Sequence, residues 1–198
     1  MTAETTTSQR VLICEDEGVT VMSLRKALAR AGYQVVGEAV DGQQAIDLAQ
    51  EKQPDLILMD ITMLGPIDGI AATREILQHQ SVPIVMLTAY SDTSLVDAAL
   101  DAGACGYLVK PITSEQLLPA IRTATARFHA FQNALQEAND LKEALETRKL
   151  VERAKGILME RRQLSESDAF HAIQKISRDK CQTMKQTALD VIKASEIL

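Results

Sequence analysis

The chain has 198 residues, of which 46% are hydrophobic and 24% are charged, and its formal net charge is −6. This length allows one domain of about 120 residues and a second, smaller one. No apolar run approaches the roughly 18 residues that a membrane helix needs, and residues 1–9 lack a basic region followed by an apolar stretch, so we expect a cytoplasmic protein without a secretory signal. Three widely spaced cysteines, Cys14, Cys105 and Cys181, predict neither a metal site nor a disulfide framework.

The first part of the chain, residues 10–125, alternates between short apolar runs and helical stretches. The expected strands are VLIC (11–14), QVVGEA (34–39), DLILMD (55–60), PIVMLTA (83–89) and GYLVKP (106–111), each followed by a helix. Near-continuous apolar strands separated by helices are typical of a parallel sheet that is buried on both faces. The pattern therefore predicts a doubly wound five-stranded α/β fold, whose functional site lies at the carboxyl ends of the strands.

Charged and hydroxyl side chains stand at those strand ends. They are Glu15 and Asp16, Asp60, Thr88 and Lys110. Three carboxylates that meet at one edge repel one another, and Mg²⁺ prefers such oxygen ligands. Lys110 supplies a fixed cation, and we expect a cis Lys110–Pro111 bond that aims it inward. A carboxylate nucleophile, a cation and a hydroxyl are the parts that phosphoryl transfer to an aspartate requires.

The segments VLICEDE, DLILMDI, DG at 68–69, PIVMLTAY and GYLVKP resemble the response-regulator receiver family of two-component signalling. The resemblance covers residues 10 to about 125. It implies phosphorylation of Asp60 by a sensor histidine kinase, with the roles of the other residues as follows. Glu15 and Asp16 would form the acidic pair, and Mg²⁺ would bind at Asp16, Asp60 and the backbone carbonyl of Thr62. Lys110 and Thr88 would sense the phosphoryl group. Tyr107 would report the phosphorylated state. The usual proline after the acceptor strand is absent and MLGPIDG is one residue longer than the commonest form, so we expect a loop of different shape.

The segment from about residue 113 to residue 162 predicts one or two long helices, and we assign 126–147 to a helical linker. Apolar residues recur along it at spacings of three and four, namely Phe128, Phe131, Leu135, Ala138, Leu141 and Leu145. Such a stripe suits a short coiled coil or an antiparallel helix pair. The open alternative is that the stripe only packs within its own domain.

The C-terminal part, residues 148–198, predicts three short helices with a basic surface. Residues 147–198 carry 11 basic and 7 acidic residues, whereas residues 1–146 carry 10 and 20. Gly156 lies inside the first helix, where it costs stability and often marks the close approach of another surface. Phe170 is the only aromatic residue here. We expect it in the core, so contact with phosphates, rather than stacking on bases, is the expected mode of nucleic-acid binding.

The string RKLVERAKGILMERRQLSESDAFHAI resembles the ANTAR output domain, a three-helix module that binds RNA in transcription antitermination. The resemblance implies recognition of paired RNA hairpins, often by a homodimer. The predicted RNA-binding residues are Arg148, Arg153, Lys155, Gly156, Arg161, Lys180 and Lys185. We further expect Arg148, Arg153 and Lys155 to form one basic stripe.

Two alternatives stay open for the C-terminal part, namely a DNA-binding domain and a protein-interaction module. RRQLSESD is longer than the tight turn of a helix-turn-helix, and the third helix is only sparsely basic. A net charge of +4 does not exclude a protein partner. No combination of acid, base and nucleophile in 148–198 predicts an enzyme.

Overall fold

The computed structural model describes residues 8–89 and 93–196. Most of the N-terminal segment in which no secretory signal is expected, and Tyr90 of the PIVMLTAY motif, lie outside the described residues. The chain divides into two compact units, Met1–Phe131 and Gln132–Leu198.

The first unit contains a five-stranded parallel sheet with helices between its strands, as the sequence predicted. Its strands are β1 (Arg10–Cys14), β2 (Gln34–Ala39), β3 (Leu56–Asp60), β4 (Ile84–Thr88) and β5 (Gly106–Val109), in the order β2-β1-β3-β4-β5. Its helices are α1 (Gly18–Arg30), α2 (Gly42–Lys52), α3 (Gly69–His79), α4 (Thr93–Asp101) and the start of α5 (Ser114–Arg162). The three inner strands are β1, β3 and β4, and β3 and β4 are buried along their whole length, which is why they read as continuous apolar runs.

Alternate side chains of the strands enter two separate apolar cores, one on each face of the sheet. Leu12 of β1 packs in the core that also holds α2, α3 and α4, whereas its neighbour Ile13 packs in the core that holds α1 and α5. This alternation follows from the two-residue period of a strand. Both faces are therefore covered, and the edge where the strands end is left for polar side chains.

Helix α5 extends without interruption from Ser114 to Arg162, a length of 49 residues. The sequence left open whether one or two helices occupy this segment, and the structure has one. The first of the three short helices predicted for the C-terminal part is therefore the end of α5.

The second unit contains the C-terminal part of α5 together with α6 (Glu166–Asp179) and α7 (Met184–Glu196). The Ser165 hydroxyl accepts a hydrogen bond from the N–H of Asp168, so Ser165 caps α6. A small core joins the three helices through Val151, Ala154, Leu158, Ala169, Ile173, Ala188 and Ile192. No helix in the described part of the chain is long and apolar enough to cross a membrane.

Candidate functional site at the strand ends and the basic helical surface

The carboxyl edge of the sheet brings the predicted charged residues together. Glu15 directly follows β1, Asp60 ends β3, and Lys110 directly follows β5. Glu15 is 1% exposed and Asp60 is 4% exposed. Since β1 and β3 are adjacent parallel strands, their ends place the two carboxylates side by side.

The Lys110 ammonium lies between these two carboxylates. Its Nζ is 2.8 Å from Oδ2 of Asp60 and 2.6 Å from Oε2 of Glu15. Burial by itself would lower the pKa of Lys110, but the hydrogen bonds to Asp60 and Glu15 outweigh it and raise that pKa. Burial raises the pKa of Glu15, although the hydrogen bond from Lys110 opposes this. The lysine is therefore held in its charged form. The Lys110–Pro111 peptide bond is cis, as expected.

Three carboxylates at this edge offer a donor set that fits Mg²⁺. One oxygen atom from each of Glu15, Asp16 and Asp60 lies within 4.8 Å of the others. Asp16 is exposed, whereas the other two are buried, so the cluster opens toward solvent on one side. Thr62 donates its backbone N–H to Oδ1 of Asp60 over 3.3 Å, which places it at the same edge. Hard carboxylate oxygens in a partly open cluster match the preference of Mg²⁺, which retains several water ligands.

The Asp-Gly pair at 68–69 lies at the start of α3, in contact with the backbone that carries Asp60. The Asp68 side chain caps α3 by accepting a hydrogen bond from the N–H of Ala71. Gly69 donates its N–H to the carbonyl of Ile61, and a Cβ atom at position 69 would lie 1.8 Å from the backbone oxygen of Asp60. A side chain at Gly69 would therefore displace the backbone that carries Asp60. The sequence motif included this glycine, but only the packing gives its reason.

The predicted switch residues occupy the neighbouring strands. Thr88 ends β4 and is 2% exposed, and its backbone oxygen accepts a hydrogen bond from the N–H of Lys110 over 2.7 Å. Tyr107 lies on β5 and is 47% exposed. Lys110 and Thr88 are thus coupled directly through the backbone, and Tyr107 presents its ring at the surface.

Lys155 of the second unit is buried. A residue that contacts RNA phosphates would instead extend into solvent. It is 7% exposed, and its Nζ lies 2.7 Å from Glu166 and 2.9 Å from Glu152. The hydrogen bonds that Lys155 donates to Glu166 and Glu152 raise the pKa of Lys155. These contacts weigh against the predicted role of Lys155 in RNA binding. The expected basic stripe is also wrong, because Arg153 is exposed whereas Lys155 is buried. Two positions along α5 correspond to a rotation of about 200°, which places the two side chains on nearly opposite sides of the helix.

The other predicted RNA-binding residues are spread over the helices of this unit. Arg148 and Arg153 are exposed on α5, and Lys180 is exposed at the end of α6. The Arg161 guanidinium donates to the carbonyl of Ser195 over 2.5 Å, and Lys185 lies 3.5 Å from both Glu143 and Glu146. Arg161 and Lys185 therefore have contacts within the unit that RNA would have to replace or accommodate.

The sequence predicted a close approach of another surface at Gly156 and a core position for Phe170. Gly156 is exposed, and a Cβ atom there would meet nothing within 4 Å in the described chain. Phe170 is 40% exposed, so the prediction that it lies in the core is wrong. Ala169 and Ile173 are four residues apart and define the buried face of α6. Phe170 lies about 100° around the helix from Ala169, so its exposure could have been predicted from this spacing.

Comparisons with known proteins cover both units. Residues 11–122 match the response regulator receiver domain, and residues 139–192 match the ANTAR domain. The chain is similar to the transcriptional regulatory protein PdtaR of Mycobacterium tuberculosis, with 47% identity over 94% of this chain and 90% of that protein. It is 39% identical to the chemotaxis protein CheY of Bacillus subtilis over 58% of this chain and 95% of that protein. Among solved structures, a two-component response regulator of the LuxR family from Aurantimonas matches 61% of this chain and 86% of its own, with 34% identity and a TM-score of 0.57. The chain therefore belongs to the response-regulator family and combines an N-terminal receiver domain with a C-terminal ANTAR domain.

Proposed function

We propose that this protein is a phosphorylation-controlled regulator in which a histidine kinase phosphorylates Asp60 and the C-terminal unit binds RNA in transcription antitermination. The observation that carries the proposal is the placement of Lys110 between the buried carboxylates of Asp60 and Glu15. We take residues 10–125 as the receiver, 126–147 as a helical linker and 148–198 as the RNA-binding part.

In the proposed reaction, a carboxylate oxygen of Asp60 attacks the phosphorus atom of a phosphohistidine. A P–O bond forms, the P–N bond breaks, and the histidine nitrogen leaves with its electron pair. Bound Mg²⁺ would be held by Asp16, Asp60, Glu15 and the Thr62 carbonyl and would supply positive charge for the phosphoryl oxygens. Lys110 supplies the second positive charge and orients the Asp60 carboxylate through the 2.8 Å contact.

The phosphoryl group then provides new contacts for the switch residues. It offers three acceptor oxygens and about one to two added negative charges. We propose that the Lys110 ammonium leaves Glu15 to bind these oxygens and that the Thr88 hydroxyl donates to them. Tyr107 would change its rotamer in response. Because these contacts exist only in the phosphorylated state, they shift the population toward one of two conformations.

For the output, we propose that the C-terminal unit recognises paired RNA hairpins through basic residues on its helices. The match to the ANTAR domain over residues 139–192 supports RNA as the partner. Arg148, Arg153 and Lys180 are exposed and remain in the proposed contact surface. Gly156 also remains, because open space beside it allows another molecule to approach the α5 backbone. We leave Lys155 out because both of its carboxylate contacts would have to break.

We also propose a homodimer formed through α5. In the second unit, Leu135, Leu141 and Leu145 of this helix are 47%, 66% and 54% exposed. Together with Ala138 these leucines recur at spacings of three or four residues, which suits a helix pair that would remove them from water. Two copies would hold two linked hairpins at once and raise the affinity through effective concentration. Sedimentation velocity tests the proposal, since Leu141→Glu should yield a monomer under conditions in which the wild type is a dimer.

The main experiment measures phosphorylation and RNA binding in the same preparations. The full chain is incubated with a small phosphodonor and Mg²⁺, and labelling and gel shifts with a two-hairpin RNA are compared with and without the donor. We expect labelling to require Mg²⁺ and RNA affinity to change on phosphorylation. A matching DNA duplex serves to separate RNA binding from DNA binding.

Two variants control the assignment of the acceptor. Asp60→Asn should abolish labelling, whereas Asp47→Asn, which changes an exposed carboxylate on α2, should leave it unchanged. Asp16→Asn should reduce labelling at low Mg²⁺ and recover at higher Mg²⁺. Labelling of Asp60→Asn at the wild-type level would show that another residue accepts the phosphoryl group.

A further inference from the structure

Phe170 lines an open cleft in the C-terminal unit. The cleft has a volume of about 750 Å³ and lies among α5, α6 and the start of α7. Val151, Phe170 and Met184 contribute apolar surface to it. This volume falls within the range of sites that bind small molecules or single groups of a larger ligand. Phe170 also lines a second depression with Ser165 and Ser167, so the ring stands between two indentations of the surface.

The exposure of this ring leaves apolar surface in contact with water. Burying a phenylalanine side chain contributes about 1.5–3 kcal/mol, part of which Phe170 forgoes because it is 40% exposed. The sequence contains no tryptophan, and Phe170 is the only aromatic residue in 132–198. Phe170 is therefore the only phenyl, phenol or indole ring that this unit can stack on a base, and the imidazole of His171 and the arginine side chains are its other planar groups. A single exposed apolar residue is common, so the chemistry of the surrounding cleft decides what occupies it.

The charges around the cleft favour a neutral group with hydrogen-bond donors over a phosphate. Asp140, Glu143 and Glu152 line the cleft, and Arg148 and Lys185 provide the basic side chains. Lys185 is already 3.5 Å from Glu143, which reduces its attraction for an anion. The three carboxylates also have partners, since Glu143 contacts Lys185, Glu152 contacts Lys155, and Asp140 accepts from Gln136 through Oδ1. A carboxylate has about four acceptor sites, so each can still accept a hydrogen bond from an exocyclic amino group, such as N4 of cytosine. Arg148 can contact the phosphate of a nucleotide whose base enters the cleft.

We infer that this cleft binds one unpaired nucleobase that carries an exocyclic amino group, with its face stacked on Phe170. Adenine, cytosine and guanine have such a group, whereas uracil does not. The cleft therefore selects a loop or bulge nucleotide of the RNA and disfavours uridine. Unpaired bases that are stacked on aromatic side chains and read at their edges are a common basis of sequence-specific RNA recognition. The inference rests on the proposed function in that it takes RNA as the ligand.

A tryptophan at position 170 makes stacking directly measurable, because the chain has no other tryptophan. Full-length Phe170→Trp is titrated with hairpin RNAs that share one stem and have loops of adenosine, cytidine or uridine. We expect quenching of the indole fluorescence with adenosine and cytidine loops and much weaker quenching with uridine loops. Binding of all three hairpins without quenching would overturn the inference, and equal quenching by all three would overturn the preference for an amino group.

Affinity measurements provide the second test. Phe170→Leu keeps an apolar side chain but removes the aromatic face, and it should weaken binding of the adenosine hairpin about 5- to 150-fold. Met22→Leu, a change of an exposed apolar side chain on α1 outside both the cleft and the proposed dimer contact, serves as the control. Circular dichroism and thermal unfolding check that both variants are folded.

The outcomes separate this inference from the proposed function. If the wild type binds RNA and Phe170→Leu binds equally tightly, the base site is wrong and RNA binding stands, which leaves the cleft to a protein partner. If the wild type binds none of the hairpins, both the proposed RNA function and the base site fail. Selective loss of affinity in Phe170→Leu, with uridine loops least affected, supports the base site.

Discussion

Two lysines in the two units each contact a pair of carboxylates, but the carboxylates differ in exposure. Lys110 in the receiver unit contacts Glu15 and Asp60, whose side chains are 0% and 5% exposed. Lys155 in the C-terminal unit contacts Glu152 and Glu166, whose side chains are 57% and 71% exposed. Water can replace Lys155 at its partners, whereas the partners of Lys110 have little access to water.

The difference in exposure of their carboxylate partners suits Lys110 to a switch and Lys155 to a structural role. A buried carboxylate that loses its cation keeps an uncompensated charge, so Lys110 moves only when a better anion arrives. The phosphoryl group that we propose on Asp60 would be such an anion. An exposed carboxylate that loses its partner is simply rehydrated, and its ion pair is screened by salt. We therefore expect changes at Lys110 to alter signalling and changes around Lys155 to alter stability slightly.

The largest expected effect follows from Lys110→Ala. The variant should still be phosphorylated to some degree, but the change in RNA affinity on phosphorylation should vanish because no cation remains to follow the phosphoryl group. Such couplings are typically about 5- to 150-fold in affinity, all of which would be lost. RNA titrations with and without the phosphodonor measure this. Lys26→Ala, an exposed lysine on α1, should retain the coupling. Full coupling in Lys110→Ala would contradict the proposed role of the ammonium.

Gly69→Ala should give the largest loss of stability in the receiver unit. Its Cβ would lie 1.8 Å from the backbone oxygen of Asp60, so α3 or the end of β3 must move. Overpacking of this kind costs about 1–3 kcal/mol and sometimes more. Chemical denaturation of the full chain measures the change. In Gly18→Ala the new Cβ meets nothing within 4 Å, and this variant should be close to the wild type. A Gly69→Ala variant with wild-type stability and labelling would show that the loop accommodates the methyl group.

Gly156→Ala should act in the opposite direction on the C-terminal unit. Because nothing in the described chain lies within 4 Å of the new Cβ, the gain in helix propensity should stabilise this unit by about 1 kcal/mol. If RNA approaches the α5 backbone at this position, RNA affinity should fall while the melting temperature rises. A rise in stability with unchanged affinity would remove Gly156 from the proposed contact surface.

The smallest effect concerns the pH dependence of the Lys155 pair. The hydrogen bond from Lys155 lowers the pKa of Glu166 in the folded state. A lowered pKa means that the stabilisation is present above the ordinary range of a glutamate and is lost as the pH falls through the folded-state value. Glu166→Gln should therefore melt slightly below the wild type at neutral pH, and the difference should disappear in acid. Thermal unfolding across this range measures it, and a constant difference would contradict the titration of Glu166.

The hydrophobic pattern of the sequence was sufficient to predict the receiver fold and the position of the polar edge of its sheet. Five apolar runs separated by helices predicted the parallel sheet, and parallel strands bring Glu15, Asp60 and Lys110 to one edge whatever the loops between them do. The Asp-Gly pair was part of the resemblance, but its contact with the backbone of Asp60 depends on how closely α3 approaches β3. The distance between α3 and β3 depends on how their side chains pack, and a single sequence does not predict it.

In the C-terminal unit, the sequence determined the helices and their basic composition but not the environment of each side chain. Ser165 caps α6, and a serine at this position is a sequence signal for a helix start because capping is a local interaction. Of the two partners of Lys155, Glu152 is local, three residues away on α5. Glu166 is not, since it lies 11 residues away on another helix and reaches the lysine only when α5 and α6 pack together. The exposure of Phe170 likewise depends on which face of α6 meets the small core of this unit. Local propensities and the order of the strands are encoded in neighbouring residues, whereas the pairing of charges and the exposure of rings arise only when the helices are assembled.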